Sequence, residues 1–203
     1  VLRALRLGGP DLFGGALDDP DVAVRIEAVR ALVSVDAAAP LSRAADDPSR
    51  EVRVALAKGP AGVDATPEAP VTTTRGRLTE DADALVRGAA HAVLGSTGSP
   101  APPAARAAAA LSDPAWQVRA GAATALSAAL PDVAVAALAK ALAKALAGPN
   151  ADVRKAAVLA LTRHRRTGDA PRGAAAAARP ALATATADSD ADADVRAYAA
   201  QAL

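Results

Sequence analysis

Cysteine and methionine are absent from this chain, and rings are scarce: one Phe, one Trp and one Tyr. Without cysteine there is no disulfide, no thiolate nucleophile and no Cys-bound zinc. Aromatics at 1 % exclude the β-branched and aromatic strands that fill a β-sandwich. No apolar run reaches the roughly 18 residues of a membrane span. The longest Ala/Leu/Val stretch, 133–147, is cut by Lys140 and Lys144. No secretory signal opens the sequence, so the expectation is a cytoplasmic protein with no membrane association. A large excess of one charge is missing too. The net charge is +1, with 11 basic and 14 acidic residues up to Pro100 and 12 against 8 after it.

What the chain has is alanine, the strongest helix former, within a composition that is 52 % hydrophobic. It also has a repeat. Segments ending Val-Arg recur six times: Asp19 to Arg25, Asp47 to Arg53, Asp81 to Arg87, Asp113 to Arg119, Gly148 to Arg154 and Asp190 to Arg196. Taking the Arg as reference, the position before it is always Val, and small or branched apolar residues follow at +3 and +7: Ala28 and Leu32, Ala90 and Leu94, Ala122 and Leu126, Ala157 and Leu161, Ala199 and Leu203. Positions four apart share one face of a helix, so −1, +3 and +7 form the expected buried stripe.

The front of each motif is a helix start. Asp21, Ser49, Asp83, Asn150 and Asp192 lie four before the Arg, and Asp19, Asp47, Asp81, Asp113 and Asp190 lie six before it. Either set can satisfy the free N–H groups of a first turn, and the pattern leaves open which does. Between motifs there is room for one further helix, read over 101–111, 131–147 and 171–187. A helical hairpin cannot bury its stripe alone, so the fold class expected is all-α: an α-solenoid of about six stacked helix-turn-helix units in one array over 1–203. The second unit breaks at Lys58-Gly59-Pro60, and 59–74 reads either as a surface loop or as the degraded first helix of unit three. Neither end carries a polar cap, which points to a longer array or to ends covered by a partner.

The stretch Asp113-Pro-Ala-Trp-Gln-Val-Arg-Ala-Gly-Ala-Ala-Thr-Ala-Leu126 resembles the HEAT repeat, in the short HEAT-like class named after the phycobilisome (bilin) lyases. The resemblance covers about 12–203. It implies that the recurrent Arg and Asp pair between neighbouring repeats as a structural ladder: Arg25, Arg53, Arg87, Arg119, Arg154 and Arg196 with Asp19, Asp47, Asp81, Asp113 and Asp190. It also implies a curved array.

The face opposite the stripe, positions −3, +1 and +5, varies between repeats while the core does not. That face is the candidate partner-binding surface on the concave side, with Arg30, Lys58, Trp116, Thr124 and Lys155 as its contact residues. Trp is enriched at interface hot spots, although Trp116 could equally pack against the adjacent repeat. A basic cluster, Arg163, Arg165, Arg166 and Arg172, could grip phosphate or an acidic partner, or could complement a helix C-terminus. His91 and His164 lie in different repeats without clustered carboxylates, so no metal is expected, and no catalytic constellation or cofactor motif is present. The reading is a non-catalytic scaffold for a protein or peptide partner. Nucleic-acid binding, similar to the HEAT-like DNA alkylation-repair glycosylases, is the less favoured alternative. A bilin lyase-like activity rests on the repeat's family name alone.

Overall fold

The computed structural model describes residues 10–59, 70–96, 102–127, 137–141, 144, 150–166, 179–180, 182–186 and 192–203. Among them every regular element is helical. In chain order these are α1 (Pro10–Gly15), followed by a 3₁₀ turn, α2 (Val22–Val35), α3 (Ala38–Ala44), α4 (Arg50–Lys58), α5 (Pro70–Leu78), α6 (Ala84–Ser96), α7 (Pro102–Ala110), α8 (Trp116–Leu126), α9 (Ala151–Arg166) and α10 (Ala193–Ala202). Residues 137–141 and 182–186 are also helical. The motif helices α2, α4, α6, α8, α9 and α10 pack side by side in chain order, each on the next. The intervening helices lie on the same stack, α3 against α5 and α7 against α8. The architecture is an all-α repeat solenoid.

Helices α2 and α6 start through two nested turns, and the other motif helices show one of the two among the described residues. The carboxylate six before the Arg accepts the backbone N–H two residues on: Asp21 to Asp19, Ser49 to Asp47, Asp83 to Asp81 and Ala115 to Asp113, each at 2.8 Å. The residue four before the Arg is the N-cap itself. Asp21 accepts from Ala23 N–H at 2.8 Å, Asp83 from Leu85 at 2.8 Å, Asn150 from Val153 at 3.2 Å and Asp192 from Asp194 at 3.0 Å. Ser49 instead donates its hydroxyl to Glu51 at 2.8 Å, and Ala115 has no side-chain cap.

The predicted stripe is buried in the middle of the stack: Val52, Val86, Val118, Val153 and Val195 with Leu56, Ala90, Ala122, Ala157 and Ala199. Its two ends depart from expectation, since Val24 is 39 % and Leu203 42 % exposed. Val24 stands on the first motif helix, which has no preceding motif helix among the described residues to cover it. The buried face is also wider than the stripe. Position +4 is covered as well, at Val29, Ala57, His91, Ala123 and Val158, because each motif helix is flanked by a neighbour on one side and a hairpin partner on the other.

The core falls into two clusters, one running from Leu17 to Ala90 and one from Ala107 to Ala199. They meet at the α6–α8 seam, where the two backbones touch. A Cβ built on Gly121 would lie 2.1 Å from the carbonyl oxygen of Gly88, and one on Gly88 would lie 2.5 Å from that of Gln117. No side chain fits between such backbones, so these two glycines set the separation of the third and fourth motif helices.

Of the irregular stretch 59–74, residues 70–74 begin a helix, Pro70–Leu78, the first helix of the third unit, while 60–69 lie outside the described residues. Helix α4 ends at Lys58 as its Gly-Pro sequence requires. Arg75 of α5, 1 % exposed, takes over that helix end. It donates Nε to Leu56 C=O at 2.9 Å and Nη2 to Gly59 C=O. Burial lowers its pKa to about 10, a shift that Asp36 opposes. Asp36 sits in the left-handed region at φ 50° at the end of α2 and accepts the Val71 N–H that opens α5, at 2.8 Å. Two carbonyls, one carboxylate and one guanidinium therefore stitch α2, α4 and α5 together where the hairpin sequence is weakest.

Candidate functional site

Arg25, Arg53 and Arg87 each bridge three segments. Nη1 donates to the carbonyl six residues back, at 2.9, 2.7 and 2.8 Å respectively. The other edge meets the aspartate of the next repeat: Arg25 Nε to Asp47 at 2.9 Å, Arg53 Nε to Asp81 at 2.8 Å, and Arg87 Nη2 to Asp113 at 3.4 Å. The hydrogen bonds to Asp47 and Asp81 raise the pKa of Arg25 and of Arg53, against desolvation that lowers it. These arginines are committed to the stack and leave no face for phosphate.

The fourth rung differs. Arg119 Nη1 donates to the carbonyls of Asp113 and Pro114 at 2.9 and 2.8 Å. The next motif carries Gly148 where its acid would stand, and among the described residues no acceptor meets Arg119 Nε or Nη2. Asp190, the expected partner of Arg154, lies outside the described residues. Arg154 is buried and Arg196 half-buried.

A second, exposed row runs beside the first. Arg43 of α3 reaches Asp18 at 2.5 Å and Arg77 of α5 reaches Asp46 at 3.0 Å. The adjacent acids Asp46 and Asp47 thus serve both rows, one residue in each, whereas Asp18 serves the second row and Asp19 accepts the Asp21 N–H of its own turn. The sequence signal was the doubling of the acid.

Of the expected partner-binding residues, Arg30, Lys58, Trp116 and Thr124 are exposed. They do not share one surface evenly. Position +5 forms an exposed row along the stack, Arg30, Lys58, Thr124, Leu159 and Gln201, with Ala92 half-buried among them. Position +1 is drawn inward in the first three units, with Ile26 and Val54 packed against the core and Gly88 buried, while Ala197 in the last is exposed. Lys155 is half-buried. It pairs with Asp192 and Asp194, both at 3.1 Å, ties α9 to α10, and is held protonated chiefly by its bond to Asp192. Arg30 pairs with Glu27, and Arg50 with Glu51 at 3.2 Å and Asp83 at 3.8 Å. In the basic cluster, Arg163 is exposed near the end of α9. The side chains of Arg165 and Arg166, and all of Arg172, lie outside the described residues.

Trp116 opens α8 and is 39 % exposed. It lines a cavity of about 440 Å³ between the fourth and fifth units, together with Leu111, Asp113, Arg119, Lys144 and Asn150. Among the described residues no group of acids and histidines could hold a metal, and no helix is long and apolar enough to cross a membrane.

No protein-family profile matches this chain, and no curated protein does. Solved structures do. A designed armadillo repeat protein is 20 % identical with a TM-score of 0.60, covering 96 % of this chain and 98 % of its own. Another, solved in complex with the peptide (KR)4, is 19 % identical with a TM-score of 0.60 over 97 % and 98 %. Computationally designed armadillo repeat proteins for modular peptide recognition match at 20 % identity and a TM-score of 0.58, over 96 % and 98 %. The fold is an armadillo/HEAT-like α-helical repeat solenoid. Identity at this level speaks for the fold and leaves the side chains to be read on their own.

Within this solenoid the features that sequence reasoning passed over are Arg75, the Gly88–Gly121 contact and the second arginine row. Each joins residues of different units, so no single repeat displays it.

Proposed function

We propose that this chain is a non-catalytic scaffold, acting in the cytosol, that binds a protein or peptide along its motif helices. The observation that carries this reading is the +5 row, in which Arg, Lys, Ala, Thr, Leu and Gln succeed one another at equivalent places on a constant core. Variable side chains at a fixed spacing read an extended partner one unit at a time. The likeness to armadillo repeat proteins designed for peptide recognition supports it. The charge pattern favours a peptide over nucleic acid. Among the described residues Arg30, Arg50 and Lys155 are each paired with an acid, which leaves little there of the continuous positive stripe that a phosphate backbone needs.

A peptide array probed with the folded chain tests this. Peptides selected on it should bind at least about tenfold more weakly to a Thr124→Glu, Leu159→Glu double variant, as for loss of a contact worth about 1.4 kcal/mol, at unchanged Tm. Duplex binding that is steep in salt, with no peptide retained, would overturn the reading.

A further inference from the structure

The interrupted rung at Arg119 has the shape of a site whose internal ligand has been removed. In the Arg25 and Arg53 rungs, Nε and Nη2 hold the two oxygens of one aspartate, at 2.9 and 3.2 Å and at 2.8 and 3.3 Å. Arg119 keeps the other half of that arrangement, its Nη1 bonds to two carbonyls, so its planar fork is held in the same place. The acid is missing because Gly148 stands in its register. Register itself holds through the gap, since Asn150 still caps the next helix through Val153 N–H at 3.2 Å. In front of the fork lies the cavity of about 440 Å³, walled by Trp116 and by the exposed Lys144. The acid that also lines it, Asp113, is engaged by Ala115 N–H at 2.8 Å and by Arg87 at 3.4 Å. Both of these contacts are to Asp113 Oδ1, so among the described residues the charged groups lining the space are one partly engaged acid and two cations, Arg119 and Lys144, with an aromatic wall beside them.

We infer that this cavity binds an acidic side chain of a peptide partner, whose carboxylate completes the Arg119 rung from outside the chain while Lys144 adds attraction and Trp116 covers the adjoining backbone. The inference rests on the peptide-binding reading above and assigns the partner an Asp or Glu at the boundary of units four and five. A guanidinium with two donors fixed in one plane takes a carboxylate in bidentate fashion. Two internal rungs, at Arg25 and Arg53, show that an aspartate fits this edge.

Trp116 is the one tryptophan of the chain and reports the site directly by its fluorescence. Titration of the full chain with a capped Ala-Asp-Ala-Asp-Ala peptide should give a saturable, salt-sensitive change, and the Asn counterpart should bind at least about tenfold more weakly. Gly148→Asp should restore the internal acid, raise Tm and abolish the Asp-peptide response. Arg119→Gln should abolish the response without that gain, and it keeps the test open should Gly148→Asp fold poorly. Equal affinity for the Asn peptide, or an undiminished response in Arg119→Gln, would overturn the inference. Glutarate binding as tightly as the peptide at equal carboxylate concentration would overturn the assignment to a peptide side chain. Array-selected peptides that are sensitive to the Thr124 and Leu159 changes but indifferent to Arg119→Gln would sink this site and leave the scaffold reading standing.

Discussion

Gly121 meets the carbonyl of Gly88 across the α6–α8 seam so closely that a methyl on Gly121 would lie 2.1 Å from that oxygen. The obstacle is backbone, which cannot rotate away as a side chain can. Gly121→Ala should therefore force the two helices apart and cost about 1–3 kcal/mol or more. Gly15, which has nothing within 4 Å of its would-be Cβ, supplies the control. Gly15→Ala should be neutral or stabilise by up to about 1 kcal/mol, from helix propensity alone. Denaturant unfolding of the two variants measures the contrast, and a Gly121→Ala curve overlying the wild type would refute the seam's role.

Arg53 and Arg119 occupy equivalent positions and make the same bonds to their own turns, but only Arg53 has an aspartate across the repeat boundary among the described residues. A double-mutant cycle on Arg53 and Asp81 should give a coupling on the order of 1 kcal/mol. Arg119→Ala should lower Tm less than Arg53→Ala, because it removes the turn bonds without orphaning a carboxylate. Equal losses from the two single substitutions would mean that the inter-repeat pair contributes nothing beyond the turn.

His91 is buried at the same seam, 6 % exposed. Desolvation, foremost, and the charges of Arg106 and Arg87 lower its pKa below 6.5, while Asp113 pulls the other way. A depressed histidine pKa means that the unfolded chain binds the proton more readily. Stability is therefore fully present above pH 6.5 and is lost as pH falls from there through the folded-state value. Thermal melts between pH 7.5 and 5 should show this decline, reduced in His91→Gln, in sequence terms a change at one buried +4 position. A His91→Gln melt series with the same pH slope as the wild type would exclude His91 as its source.

The repeat was legible because its signals are local. Helix starts need a cap and a turn acid within six residues of the Val-Arg pair, and a buried stripe needs only spacing along one helix, so the fold class and the three rungs at Arg25, Arg53 and Arg87 could be read from the chain. Which of Asp21 and Asp19 caps the helix was not legible, since either lies within reach of a free N–H, and the backbone geometry gives each its own task. The ion pairs of Lys155 were not legible because its acids lie 37 and 39 residues away, at the start of another helix. Tertiary structure alone decided the Gly88–Gly121 contact, the burial of Arg75 over the end of α4 and the cavity beside Arg119. Each is a relation between units, set by how closely two backbones approach, and a pattern with the period of one repeat carries no record of that distance.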